Sequence, residues 1–250
     1  MLAAWRRRKL ERQARELMPD AAELAALCKR WPCLAAIDPA NHSRLALRAG
    51  EILASKEFHG AGGLEPDRAD CLPVAVLAAQ VALDGGLALL AGFRTFILYR
   101  DAFEVEIDEV DDDGLVHRGR DLRAGEAWHG GPVVLSLADV AESGQGDGYH
   151  VVAHELAHQL DSLNGEPDGF PPLPPSIDPA EWSRCFTAAF ERLNAMLARG
   201  LEPWIDPYAA ESPAEFFAVC CEYRFDAPGL LARHEPAIHR LLGRLFRLSD

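Results

Sequence analysis

The run Val151-Val152-Ala153-His154-Glu155-Leu156-Ala157-His158-Gln159-Leu160-Asp161 sets two imidazoles and a carboxylate inside a stretch of aliphatic residues. A helix this apolar is a buried helix. Burying two histidines and a glutamate there costs several kcal/mol unless they are paired or coordinate a metal. On an α-helix, residues four apart stack on one face about 6 Å apart, so His154 and His158 can both direct a ring nitrogen at one zinc ion at about 2.0–2.1 Å. Glu155 adjoins the first of them and can reach a metal-bound water without being a ligand. The competing account is a surface helix with histidines four apart by chance, a match expected in roughly a few per cent of chains of this size. The apolar setting favours the metal. Gly144 to Gly148 supplies a loop leading in, and Asn164-Gly165 followed by Pro167 supplies a stop, which predicts a helix over 149–163.

With 250 residues, 49% of them hydrophobic, the chain can bury about 70% or more of its unfolded surface as a single compact unit. A net charge of −14 argues against nucleic acid as a direct partner, because phosphate contacts need clustered Lys and Arg. Met1 to Trp5 is too short for the apolar region of a signal peptide, and no run of about 18 apolar residues could span a bilayer. The expected location is the cytoplasm. Trp5-Arg6-Arg7-Arg8-Lys9 is by itself a weak membrane anchor. Cys28, Cys33, Cys71, Cys185, Cys220 and Cys221 form no Cys-x-x-Cys and read as small hydrophobes in a reducing compartment.

Along the chain the pattern gives helices, then a small sheet, then helices again. Residues 1–90 carry Ala and Leu at helical spacing and read as a helical N-terminal region, interrupted at Gly60-Ala61-Gly62-Gly63 and at Pro73. The glycine cluster has no following Lys-Ser/Thr and no predicted strand before it, so it reads as a turn rather than a phosphate loop. Strands are predicted over 95–99, 104–110 and 133–137. Asp111-Asp112-Asp113-Gly114 reads as a charged hairpin turn in preference to a Ca²⁺ loop, with the return strand starting at Leu115-Val116. If 133–137 forms the edge of the sheet above the cleft, an extended peptide substrate could add to it as a further strand.

A catalytic zinc usually keeps three protein ligands and one open position, so two histidines leave it one short. His150 shares their helical face, but His150 to His158 spans about 12 Å of helix axis and cannot converge on one ion; it reads as the helix start. Asp161 reads as a group that orients a ligand or caps a turn. Asp178 and Glu181 fall where a ligand could lie, yet Asp178-Pro179-Ala180-Glu181 is also a helix start, and that account suffices. Glu215 remains. Ser212-Pro213-Ala214-Glu215 is itself a capping box, so spacing leaves ligation and capping equally open. Tyr208, seven residues before Glu215, could donate its phenol to an oxyanion, although a tyrosine beside proline also serves as a packing residue.

Several blocks together resemble the Mlc titration factor A family of zinc-dependent peptidases: 58–64, 97–103, 125–128 with 131–136, 151–161, and 206–210 with 213–219. The metal site also resembles the catalytic domain of anthrax lethal factor. The resemblance implies an α+β, zincin-like metallopeptidase fold of the glutamate-ligand class, with a small sheet and an active-site helix. It implies His154, His158 and Glu215 as ligands of Zn²⁺, Glu155 as the catalytic carboxylate, and Tyr208 assisting the transition state. Peptide or protein substrates follow, aminopeptidase action among them. So does binding of an Mlc-type transcriptional repressor that controls glucose uptake. The alternative it leaves is a protein-binding regulator with weak or vestigial peptidase activity. The chain departs from the family's usual residues at His150, where Asn is expected, at Leu156, where Phe is usual, and at Leu137-Ala138, where a Trp commonly follows Leu-Ser.

Overall fold

The computed structural model describes residues 2–101, 103–110, 116–123, 125–127 and 131–248. The first part is helical, as the periodicity predicts: α1 (Leu2–Leu17), α2 (Ala21–Arg30), α3 (Pro32–Ala35) and α4 (His42–Ser55). Asp20 starts α2 with a reciprocal capping box to Glu23. One strand interrupts these helices, β1 (Glu57–Gly60), and α5 (Arg68–Val81) follows. Residues 1–90 are therefore not wholly helical, and the glycine cluster does follow a strand. Sequence pattern missed β1 because four residues of mixed polarity, alternately exposed and half-buried, carry almost no periodic signal. Beyond the glycines, Asp67 caps α5 with a second capping box to Asp70, an acidic entry unsuited to phosphate.

Pro73 does not break α5 either. It removes only the hydrogen bond to the carbonyl of Ala69, and Ala69 is exposed, so water can satisfy that oxygen.

The strands are β2 (Thr95–Tyr99), β3 (Phe103–Val110), β4 (Val116–Arg123), β5 (Gly125–Ala127) and β6 (Val133–Ser136). Their order in the main sheet is β1-β2-β6-β5. β1, β2 and β6 run parallel, with Phe96 opposite Val133 and Leu98 opposite Leu135, while β5 pairs antiparallel to β6. This small sheet among helices is consistent with an α+β metallopeptidase fold. β6 is not an edge strand. It lies between β2 and β5 and all four of its residues are buried, the continuous apolar run of an interior parallel strand. The edge positions belong to β1 and β5. β3 and β4 pair with each other in a separate antiparallel hairpin; the predicted turn at Asp111 to Gly114 lies outside the described residues.

The remaining helices are α6 (Leu137–Glu142), α7 (Val151–Asp161), α8 (Pro179–Leu197), α9 (Pro213–Asp226), α10 (Pro228–His234) and α11 (Pro236–Leu245). The predicted strand 133–137 ends one residue early because Ser136 turns to cap α6, accepting from Asp139 N–H at 3.3 Å. Asp178 caps α8 with Pro179 in its first turn, the structural role read for that segment. α5 and α9 are buried over most of their length, and both pack against α7, which also contacts β5 and β6. α7 thus sits in the core, walled by two apolar helices and roofed by the sheet. Apolar packing runs continuously from Leu24 to Phe246. No described helix is long and apolar enough to cross a membrane, and all six cysteines are free.

Candidate metal centre

The loop 144–149 and its anchors define how α7 begins. His150 is the N-cap of α7. Its Nδ1 accepts from Ala153 N–H at 3.1 Å, so its Nε2 carries the proton and donates to Gln80 Oε1 at 3.2 Å. An asparagine here would supply a capping oxygen alone, whereas the longer imidazole caps and also reaches α5. Burial holds the His150 ring at a pKa of about 4, keeping it neutral. The capping bond requires that state, because Nδ1 accepts.

One turn into α7, His154 and His158 present their Nε2 atoms 3.1 Å apart. Glu215, in the first turn of α9, brings its Oε2 to 3.1 Å from His154 Nε2 and 3.3 Å from His158 Nε2. The segment Ser212-Pro213-Ala214-Glu215 forms only half of a capping box. Ser212 does cap α9 by accepting from Glu215 N–H at 3.1 Å, but the Glu215 carboxylate turns to the histidines instead of closing the box.

Three ligands at about 2.0–2.1 Å in tetrahedral array around zinc lie about 3.3 Å from one another. The observed triangle has edges of 3.1, 3.1 and 3.3 Å. Glu215 Oε2 is buried and makes no aligned hydrogen bond despite this proximity, as expected of lone pairs aimed at one common centre. On both grounds the three side chains fit a metal ion. Their surface is 12% exposed for each histidine and 19% for Glu215, enough to leave the cluster open on one side.

Electrostatics tell the same story. Burial disfavours a charged His154, but the Glu215 and Glu222 carboxylates outweigh it and raise its pKa well above the usual imidazole value. Burial likewise opposes ionisation of Glu215, and the His154 and His158 rings overcome it, holding the carboxyl far below the usual range. The carboxylates around His154 thus favour positive charge at that position.

Glu155 is buried, 3% exposed, and its charge is among those acting on His154. Tyr208 sits in the 3₁₀ turn 207–210, held by Asp206, which accepts from Tyr208 N–H at 2.9 Å. Its ring centroid lies 6.0 Å from that of His154, and the side chain is exposed. Of the other residues weighed from sequence, Asp161 caps a turn: its Oδ2 accepts from Gly169 N–H at 2.7 Å. Asp178 and Glu181 stay with α8, the latter 3.4 Å from Arg244.

Sequence reasoning missed Glu222 and Asp226. Glu222 Oε1 lies 2.8 Å from His154 Nδ1, and its Oε2 accepts from His150 N–H at 2.6 Å. Asp226 accepts from Gly146 N–H at 2.8 Å and from Gly148 N–H at 2.7 Å, fixing the loop ahead of α7. The available signal was two acids in the largely apolar run Phe216 to Asp226, spaced to fall near the Glu215 face of one helix.

Helices around a small, mainly parallel sheet, with two histidines and a glutamate converging next to a buried glutamate, make this a metallopeptidase-like protein. Residues 2–247 match the Glucose-regulated metallo-peptidase M90 family, and the chain belongs to that family. It is 37% identical over 219 residues to the Mlc titration factor A of Serratia proteamaculans (strain 568), covering 86% of this chain and 83% of the relative. The Mlc titration factor A of Klebsiella pneumoniae (strain 342) is 36% identical over 209 residues, 83% of this chain and 79% of its own. That of Salmonella arizonae aligns over 245 residues at 31% identity, 97% of this chain and 95% of the relative. Membership implies a metal cofactor, and the His154, His158, Glu215 cluster could hold it.

Proposed function

We propose that residues 1–250 form one zinc-dependent peptidase unit of the glutamate-ligand class, in which His154, His158 and Glu215 hold Zn²⁺ and Glu155 is the general base. The observation that carries this reading is the triangle of ligand atoms with edges of 3.1 to 3.3 Å. When bound, zinc supplies Lewis-acid activation of a water and of the scissile carbonyl. The chain's own groups do the rest. The Glu155 carboxylate takes a proton from the attacking water as the C–O bond forms. It returns that proton to the leaving nitrogen as the C–N bond breaks. Tyr208 Oη–H donates to the oxygen on which negative charge develops. An extended peptide lies along β5, the edge strand that packs against α7 and takes the part expected from sequence of 133–137.

A second role rests on the relatives' shared name. We carry over from it that this chain, in the cytoplasm, binds an Mlc-type repressor and so regulates glucose-uptake genes, with its peptidase activity either serving that role or vestigial to it. Incubating the zinc-loaded chain with a mixed peptide library, with and without chelator, tests the first reading and separates aminopeptidase from endopeptidase cleavage. Products absent in both arms would overturn it. Titrating the repressor with wild type and Glu155→Gln tests the second, equal binding meaning that regulation is independent of cleavage.

A further inference from the structure

Glu222 ties the active-site helix to α9 at two points. It lies two turns beyond Glu215, on the same face of α9, and is 5% exposed. Because a carboxylate only accepts, its 2.8 Å contact requires His154 Nδ1 to be the donor. In the neutral ring, the form that binds a metal, the lone pair is then left at Nε2, the atom that faces His158 and Glu215. The other carboxylate oxygen accepts from the His150 backbone N–H at 2.6 Å, holding the start of the same helix. Both of its partners are donors. A side chain with two acceptor oxygens is therefore the one chemistry that satisfies them together.

We propose that Glu222 is a positioning residue of the metal centre: by accepting from His154 Nδ1–H and His150 N–H at once, it fixes the tautomer and orientation of His154 that leave Nε2 free to ligate. This inference rests on the metal reading above and adds a residue that reading does not use. Its consequence is specific to the amide. In Glu222→Gln one oxygen and one NH₂ face two donors. If the NH₂ meets His154, the ring must accept at Nδ1 and carry its proton at Nε2, where a metal would bind. If it meets His150 instead, the entry to α7 is pushed apart. Either outcome weakens the site while leaving its three ligands in the sequence.

Asp226 supplies the control. It lies one turn further along α9, is also buried, and also accepts backbone N–H bonds from the loop before α7, but touches no ligand. Zinc affinity of the full chain is measured by competition with a chromogenic chelator at neutral pH for wild type, Glu222→Gln and Asp226→Asn. The expected result is a 10- to 100-fold loss in Glu222→Gln, the range found on removing partners of metal-bound histidines, with Asp226→Asn within about twofold of wild type. Equal affinity in Glu222→Gln, or an equal loss in Asp226→Asn, overturns the proposal. Wild type that binds no zinc overturns the metal reading and this inference with it, so the two failures are told apart by the wild-type arm. Should Glu222→Gln fail to fold, ¹⁵N imidazole spectra of zinc-loaded wild type decide: a protonated Nδ1 on His154 supports the proposal, and an unprotonated Nδ1 overturns it.

Discussion

His154 Nδ1 and Glu222 Oε1 meet at 2.8 Å across two helices, between residues 68 positions apart in the chain. Glu215 reaches the other nitrogen of the same ring from the same helix, α9. One imidazole is thus gripped on both edges by two acids two turns apart, so the site depends on how α7 and α9 pack. Behind that pair, Phe217, fully buried in α9, lies 5.8 Å from the Trp182 ring of α8, a second neighbour that holds α9.

Glu155→Gln is expected to retain zinc while peptidase turnover falls about 10²- to 10⁴-fold, since the amide cannot take the proton. His154→Ala, His158→Ala and Glu215→Ala are expected to lose the metal. Metal analysis alongside a peptidase assay checks all four. Full zinc occupancy in Glu215→Ala would remove Glu215 from the ligand set.

Tyr208→Phe removes the phenol O–H and leaves the exposed ring in place. Turnover is expected to drop about 10²-fold with little change in KM, the signature of a contact made only in the transition state. A rise in KM at constant kcat would instead make Tyr208 a substrate-binding residue.

The folded pKa of His150 lies at about 4, below the ordinary 6.5. A depressed imidazole contributes stability that is complete above about pH 6.5 and is lost as pH falls through about 4, up to about 3 kcal/mol for a shift of this size. His150→Asn keeps a capping oxygen and does not titrate. Urea unfolding across pH 4 to 7 should show the variant about 1 kcal/mol weaker at pH 7, from the lost Gln80 contact, yet flatter towards acid. Parallel curves for the two proteins would assign the acid sensitivity elsewhere.

Gly148 has φ +99°, and a Cβ there would lie 2.3 Å from Cζ of the Tyr223 ring. Gly148→Ala should therefore cost about 3 kcal/mol of stability, from backbone strain together with overpacking. It should also loosen the Asp226 contact that orders the entry to α7. Denaturant unfolding measures the first, and a variant within about 0.5 kcal/mol of wild type would show that Tyr223 yields at no cost.

Much of this was readable along the chain because it is local. The helix carrying His154, Glu155 and His158 followed from periodicity and burial cost over a few turns, and α8 followed from Asp178 and Pro179 at its start. β2 matched its predicted span for the same reason. β1 escaped notice because a four-residue strand has no periodicity of its own, and the edge position of β5 because strand order is not written in any one strand.

Sequence alone determined that two histidines and a glutamate share one buried helix, since a period of 3.6 residues and the cost of burying charge act within neighbouring turns. Tertiary structure decided what that helix meets. Glu215 reads equally as cap or ligand in one dimension, and only the docking of α9 on α7 turned its carboxylate towards the imidazoles. The same docking set Glu222 against the far side of His154, because contacts between distant segments are chosen by packing and by no local rule.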